Sequence, residues 1–241
     1  MKRMKEGENM EHNVYIIRIK IYTIQNISEE EIRGELTKYI DSGLVKHHQF
    51  AELHNINKYK YYCYDSLYPI EKDKIYKKNQ IYTLTIRTLD TELAKYFSEH
   101  IVNTYTDKIK GLTAQIGIIP RKHIDIMYTL TPAILKCTSG YWKDEMTVEQ
   151  YEERLKINLI KKWNEFYGEK IEEDFELFTG IEFLSKCPIA SKYKEIKLLG
   201  DKIRMHVANN EKAQQLAYMA LGTGILEMNS RGFGFVNYRW L

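Results

Sequence analysis

Leu221–Val236 reads LGTGILEMNSRGFGFV, and four of the chain's thirteen glycines, Gly222, Gly224, Gly232 and Gly234, fall within it. Glycine lets a backbone turn with positive φ or come close to a bound group. Clustered in this way, the four predict a loop whose backbone N–H groups could meet phosphate. Upstream, Asn209–Leu221 has helical character: Asn209 or Asn210 can cap, and Ala213, Leu216, Ala217 and Ala220 recur at helical spacing. Downstream, Phe233, Phe235, Asn237 and Tyr238 read as a final strand. The order is helix, glycine loop, strand. A dinucleotide fold needs strand, loop, helix, so that phosphate sits on a helix N-terminus. A P-loop needs Gly-Lys-Ser/Thr at its end, and none occurs here. A flexible connection with no ligand stays open as the plainer reading.

The elements before this stretch fall into two rounds. Val14–Tyr22 alternates, with Ile17, Ile19 and Ile21 on one side and Arg18, Lys20 and Tyr22 on the other, as in a half-buried strand. Ser28-Glu29-Glu30-Glu31 is a capping box, followed by a helical stripe of Ile32, Leu36 and Ile40, with Tyr39 beside it and Gly43 as the expected end. Phe50 and Leu53 suit a short second helix within Lys46–Asn57. Tyr59–Tyr64 and Ile81–Thr88 read as strands, with Glu71–Lys78 an exposed connection between them. Asp90 caps a helix reaching His100, and Leu112–Ile119 is a fourth strand. The sum is β-α-β-β-α-β, the ferredoxin-like split βαβ unit.

Pro120-Arg121-Lys122 reads as a seam, after which the pattern recurs. Ile124–Lys136 is extended and apolar, Thr147–Tyr167 is a long amphipathic helix, and Phe175–Ser185, Tyr193–Leu199 and Lys202–Val207 are strand candidates. The helix before the glycine loop and the strand after it complete a second unit. The expectation is α+β: two tandem ferredoxin-like (RRM-like) domains, 1–122 and 123–241, repeated in topology and not in letters.

Composition narrows the class. Apolar residues make up 44% of the 241, enough for a packed core, and nineteen tyrosines suit strands and wet interfaces. Cys63, Cys137 and Cys187 lie far apart, without metal-ligand spacing, and an odd count argues against a disulfide framework. Reduced thiols in the cytoplasm are the simplest reading. No apolar run approaches a membrane span, and the charged start lacks a signal peptide's apolar core. Net charge is only +3, so any polyanion surface must come from local clustering of the 36 Lys and Arg.

Asn229-Ser230-x-Gly232-Phe233-Gly234-x-Val236, close to the C-terminus, resembles the glycine-rich loop of the repeat-RNA-processing endoribonucleases among the CRISPR-associated proteins, the sixth Cas family. These enzymes cut a precursor transcript into guide RNAs. Aligned on Asn229-Ser230, Leu226 stands where the family has a glycine, and Gly222-x-Gly224 lies two residues upstream. The resemblance implies tandem ferredoxin-like domains, as the element pattern does independently. It implies CRISPR repeat RNA as the partner and allows for a homodimer or a place in a multisubunit effector complex. It implies no cofactor.

Cutting RNA by attack of its own 2′-OH requires a base for that proton, an acid for the departing 5′ oxygen, and fixed charge for the phosphorane. The nucleophile is already in the substrate, so no hydrolytic water is needed. Leu53-His54, with Lys60 six residues on, resembles the family's catalytic histidine and lysine, and Tyr39, fifteen residues before His54, stands where some members carry a catalytic tyrosine. Carried over, His54 is the general base or acid, Lys60 the phosphorane stabiliser and Tyr39 an orienting or protonating group. His47 and His48 are alternates to His54. Packing for Tyr39, solvation for Lys60 and a helix-end position for His54 remain open readings. For RNA contact the candidates are Gly222, Gly224, Asn229, Ser230, Arg231, Gly232 and Gly234 of the loop, with Lys58, Lys192, Lys194 and Arg204 on basic strands. Guanidinium donors match phosphate geometry, which favours Arg231. A non-catalytic RNA-binding protein of the same fold is the competing reading.

Overall fold

The computed structural model describes residues 12–52, 58–193 and 196–241. In chain order the first half holds β1 (Tyr15–Thr23), β2 (Ile27–Ser28), α1 (Glu29–Leu44), α2 (His48–Ala51), β3 (Tyr62–Tyr64), β4 (Ile75–Tyr76), β5 (Ile81–Thr88), α3 (Thr91–Glu99) and β6 (Ile109–Ile118). The second half holds β7 (Ile124–Thr129), α4 (Val148–Tyr167), β8 (Phe178–Phe183), β9 (Ile189–Tyr193), β10 (Ile196–Gly200), β11 (Ile203–Val207), α5 (Glu211–Thr223) and β12 (Val236–Trp240).

Two antiparallel four-stranded sheets result, in the spatial orders β3-β5-β1-β6 and β12-β7-β11-β8. Numbered within each set, both read 4-1-3-2 with a helix after the first and third strands. That is the ferredoxin-like arrangement, twice. The local causes are those the letters suggest. The Ser28 hydroxyl accepts from the Glu31 N–H while the Glu31 carboxylate accepts from the Ser28 N–H, both at 3.3 Å. Thr147 and Gln150 repeat this reciprocal cap at the start of α4. Ile17, Ile19 and Ile21 of β1 meet Ile32, Leu36 and Ile40 of α1 and Leu93 and Phe97 of α3 in one core.

The second core gathers Tyr151, Leu155 and Leu159 of α4 and Leu216, Ala217 and Ala220 of α5 over Met127, Met205 and Val236. Val14, Ile16 and Leu89 from the first half join it, so α5 packs both halves together. Gly222 makes that approach close: a Cβ on it would lie 2.7 Å from Leu89 Cδ2.

Several boundaries differ from expectation. Helix α1 runs through Gly43 to Leu44, and the Tyr96 hydroxyl donates to the Gly43 carbonyl. Strand β6 begins at Ile109 and β7 ends at Thr129. Tyr193–Leu199, read as one strand, is where the chain reverses from β9 into β10, and this two-stranded ladder stands apart from the main sheet. The connection at Glu71–Lys78 contains β4, which pairs with β2 just ahead of α1. Among the described residues no helix is long and apolar enough to cross a membrane.

Candidate functional site

A cleft of about 630 Å³ opens between the segment leading into β3 and the loop between α5 and β12. Its first wall is Lys58–Tyr62. Tyr61 breaks the alternation there with φ of 47°. Glu165 of α4 holds this wall, accepting from the Tyr59 N–H at 3.2 Å and the Tyr61 hydroxyl at 3.1 Å. Lys60 is half-buried, and its pKa is lowered by burial and by the nearby Arg231, with Asp41 opposing.

The second wall is the glycine loop, and it is closed upon itself. The Gly224 N–H donates to Ala220 O, Ile225 to Gly234 O, Glu227 to Ile134 O, Gly232 to Asn229 O and Gly234 to Pro132 O. A donor already paired inside the fold is not offered to phosphate, so the expected N–H cradle is corrected at these positions. Asn229 lines the cleft, yet its amide donates to the carbonyls of Ile225 at 2.8 Å and Phe233 at 3.0 Å. Gly222 lies within α5, where its role is packing. Leu226 takes a left-handed φ of 53° and is 1% exposed. Such a conformation costs a branched side chain about 1–2 kcal/mol, held here by burial.

Arg231 ends the turn Asn229–Arg231 and reaches Asp41 of α1 at 2.5 Å. It also borders a second hollow of about 230 Å³, shared with Arg33, Lys192 and Tyr193. Beneath the loop lies Lys162 of α4, buried and hydrogen-bonded to it.

The structure thus brings Lys58, Lys60, Asn229, Ser230 and Arg231 to one cleft and sets Lys192 in the hollow beside it. It does not bring Tyr39. That residue is 0% exposed in the first core, its hydroxyl donates to Ile101 O at 2.6 Å, and burial pushes its pKa up. The catalytic expectation for Tyr39 is corrected: the apolar stripe of α1 turns its ring inward. His47 and His48 stack on each other, and His47 packs on Tyr96 of α3; neither lines the cleft. Arg204 pairs with Glu182 at 3.0 Å on the second sheet and lines neither hollow. His54 and Lys194 lie outside the described residues.

Sequence reasoning missed Lys136, Asn158 and Lys162, all of which line the cleft. Lys162 had a signal. It falls on the apolar stripe Leu155–Leu159–Trp163, where a solvated lysine would not. Five cations, Lys58, Lys60, Lys136, Lys162 and Arg231, face two carboxylates, Glu165 and Glu227, so the cleft suits an anion.

The chain is 21% identical over 244 residues to a protein of Methanocaldococcus jannaschii described as CRISPR-associated endoribonuclease Cas6 2, covering 92% of this chain and 98% of that one. A solved structure described as CRISPR associated protein Cas6 superposes with a TM-score of 0.68 at 23% identity, over 94% of this chain and 99% of that chain. Another, described as an RAMP protein binding different RNA substrates, gives 0.71 at 18% identity, over 93% and 99%. These two likenesses carry the fold. The family model for the C-terminal part of CRISPR associated protein Cas6 matches residues 118–238, half of the chain and the half that carries the glycine loop. The chain belongs to the Cas6 family.

Proposed function

We propose that this protein is an endoribonuclease that binds CRISPR repeat RNA and cuts precursor transcripts into guide RNAs without a metal. The observation that carries the reading is the meeting of Lys60 and Arg231, far apart in sequence, at one cationic cleft. In this reading a base takes the proton of the 2′-OH and the 2′ oxygen attacks the adjacent phosphorus. The P–O5′ bond breaks and an acid delivers a proton to the leaving 5′ oxygen. The products are a 2′,3′-cyclic phosphate and a 5′-OH. Lys60 and Arg231 hold the phosphorane, where preorganised charge acts most strongly. His54 is the proton-transfer group; only four positions separate it from Lys58 of the cleft.

The test is incubation with the host's own repeat transcript in excess EDTA. The expected result is a cyclic-phosphate product that survives chelation and disappears in His54→Ala. Tight binding without cleavage would favour the second reading, a non-catalytic RNA-binding protein. The buried Tyr39 supports that alternative, since one of three expected catalytic groups stands outside the cleft.

A further inference from the structure

Lys162 is 1% exposed, and its Nζ lies 2.8 Å from Gly224 O, 3.1 Å from Leu226 O and 2.8 Å from Asn229 Oδ1. An ammonium has three N–H donors and meets three acceptors here. All three acceptors belong to the glycine loop. Asn229, one of the three, also ties Ile225 and Phe233, so the segment from Gly224 to Phe233 closes around a single cation. The outward face of that segment carries Arg231 to Asp41 and sets it near Lys60.

We propose that Lys162 is a positioning residue: from inside the loop its ammonium fixes the turn that holds Arg231 opposite Lys60. This rests on reading the cleft as the RNA-cleaving site. Lys162 stands at the floor of the cleft with almost no exposed surface and acts through the loop. Burial lowers its pKa from 10.5 to about 7, with Cys63 and Glu227 opposing. The groups facing it are Cys63 of β3, Glu227 of the loop and the Tyr59 ring at 5.8 Å, while Glu165 on its own helix is tied to Tyr59 and Tyr61. Cys63 is itself pushed up to about 12 by burial and stays a thiol through the neutral range.

Any state that hydrates Lys162, whether the opened loop or the unfolded chain, keeps the proton up to the ordinary pKa, so between about pH 7 and 10 that state binds more protons and the closed fold gains on it as pH rises.

Amide hydrogen exchange on the free, full-length chain tests this without RNA. Peptides covering 224–234 are followed, corrected for intrinsic exchange, in wild type, Lys162→Arg and Lys162→Met. Lys162→Met should lose about tenfold or more in loop protection, at least the worth of one hydrogen bond, with sheet peptides unchanged. Lys162→Arg keeps the charge and its donors and should retain more of that protection than Lys162→Met. Loop protection in Lys162→Met equal to wild type overturns the proposal. Single-turnover cleavage of the repeat transcript should slow about 10–100-fold in Lys162→Met with affinity nearly unchanged, the mark of misplacement. A loosened loop with an unaltered rate also overturns it. If wild type cuts no RNA, the enzyme reading fails, and the exchange data still decide whether Lys162 orders the loop.

Discussion

The two walls of the cleft are built on opposite plans. The wall from Lys58 to Tyr62 is a short approach to a strand, held from behind by Glu165, with long cationic side chains directed into the opening. The loop wall directs its polar groups inward: backbone N–H groups pair with Ala220, Gly234, Ile134 and Pro132, and Asn229 bridges the loop's two ends. The difference teaches what the glycines do. They let the loop fold tightly on itself around Lys162, and Arg231 is the cation that this frame then presents. Reach belongs to one wall and rigidity to the other.

The largest loss in rate is expected at His54, which lies outside the described residues: His54→Ala should lose about 10²–10⁴ in cleavage rate, the usual worth of a general acid–base group. A rate within a few-fold of wild type would move the proton transfer to His47 or His48. Lys60→Ala should cost about 10²–10³ in single-turnover rate at saturating RNA, because its charge matters most as the phosphorane forms. A change in affinity alone would reduce Lys60 to an RNA contact. On the loop side the effect should appear in stability. Asn229→Ala removes an acceptor from the buried Lys162 ammonium and a donor pair from two carbonyls, and should cost about 2–3 kcal/mol in denaturant unfolding. An unchanged midpoint with lost RNA affinity would show Asn229 to be a ligand group after all.

How far the sequence could be read follows the same division. Ser28-x-x-Glu31, the alternating isoleucines of β1 and the stripe of α4 each report a local rule, and each became the element expected. Pairing two β-α-β-β-α-β runs required only their order. The reversal inside Tyr193–Leu199 carries no glycine or proline, so the turn between β9 and β10 had no local signature. Lys60 was singled out by the family resemblance and Arg231 by its place in the glycine loop and its guanidinium, and nothing in the letters set the two at one cleft. Lys162 was not read, since a lysine in an amphipathic helix is ordinarily assigned to water. The glycine spacing gave no sign of which carbonyls the loop's own N–H groups would take.

Tyr39 shows where a stripe misleads. On α1 it sits next to Ile40 and three residues after Leu36, a position that can face the core or its edge. The fold chose the core, and the hydroxyl was satisfied by Ile101 O. That carbonyl also accepts the Thr104 N–H at 2.9 Å, so removing the hydroxyl leaves it paired. Tyr39→Phe should therefore cost only about 1 kcal/mol. For a chain of this size that lowers the melting temperature by about 2–4 °C. Cleavage of repeat RNA should stay within about twofold of wild type, the smallest effect expected, because a phenol whose pKa burial has raised is a poor acid and lies in the first core, outside the cleft's lining. A hundred-fold loss would mean that RNA draws α1 outward to bring Tyr39 into the cleft, and the strand wall would then share its chemistry with a helix now in the core.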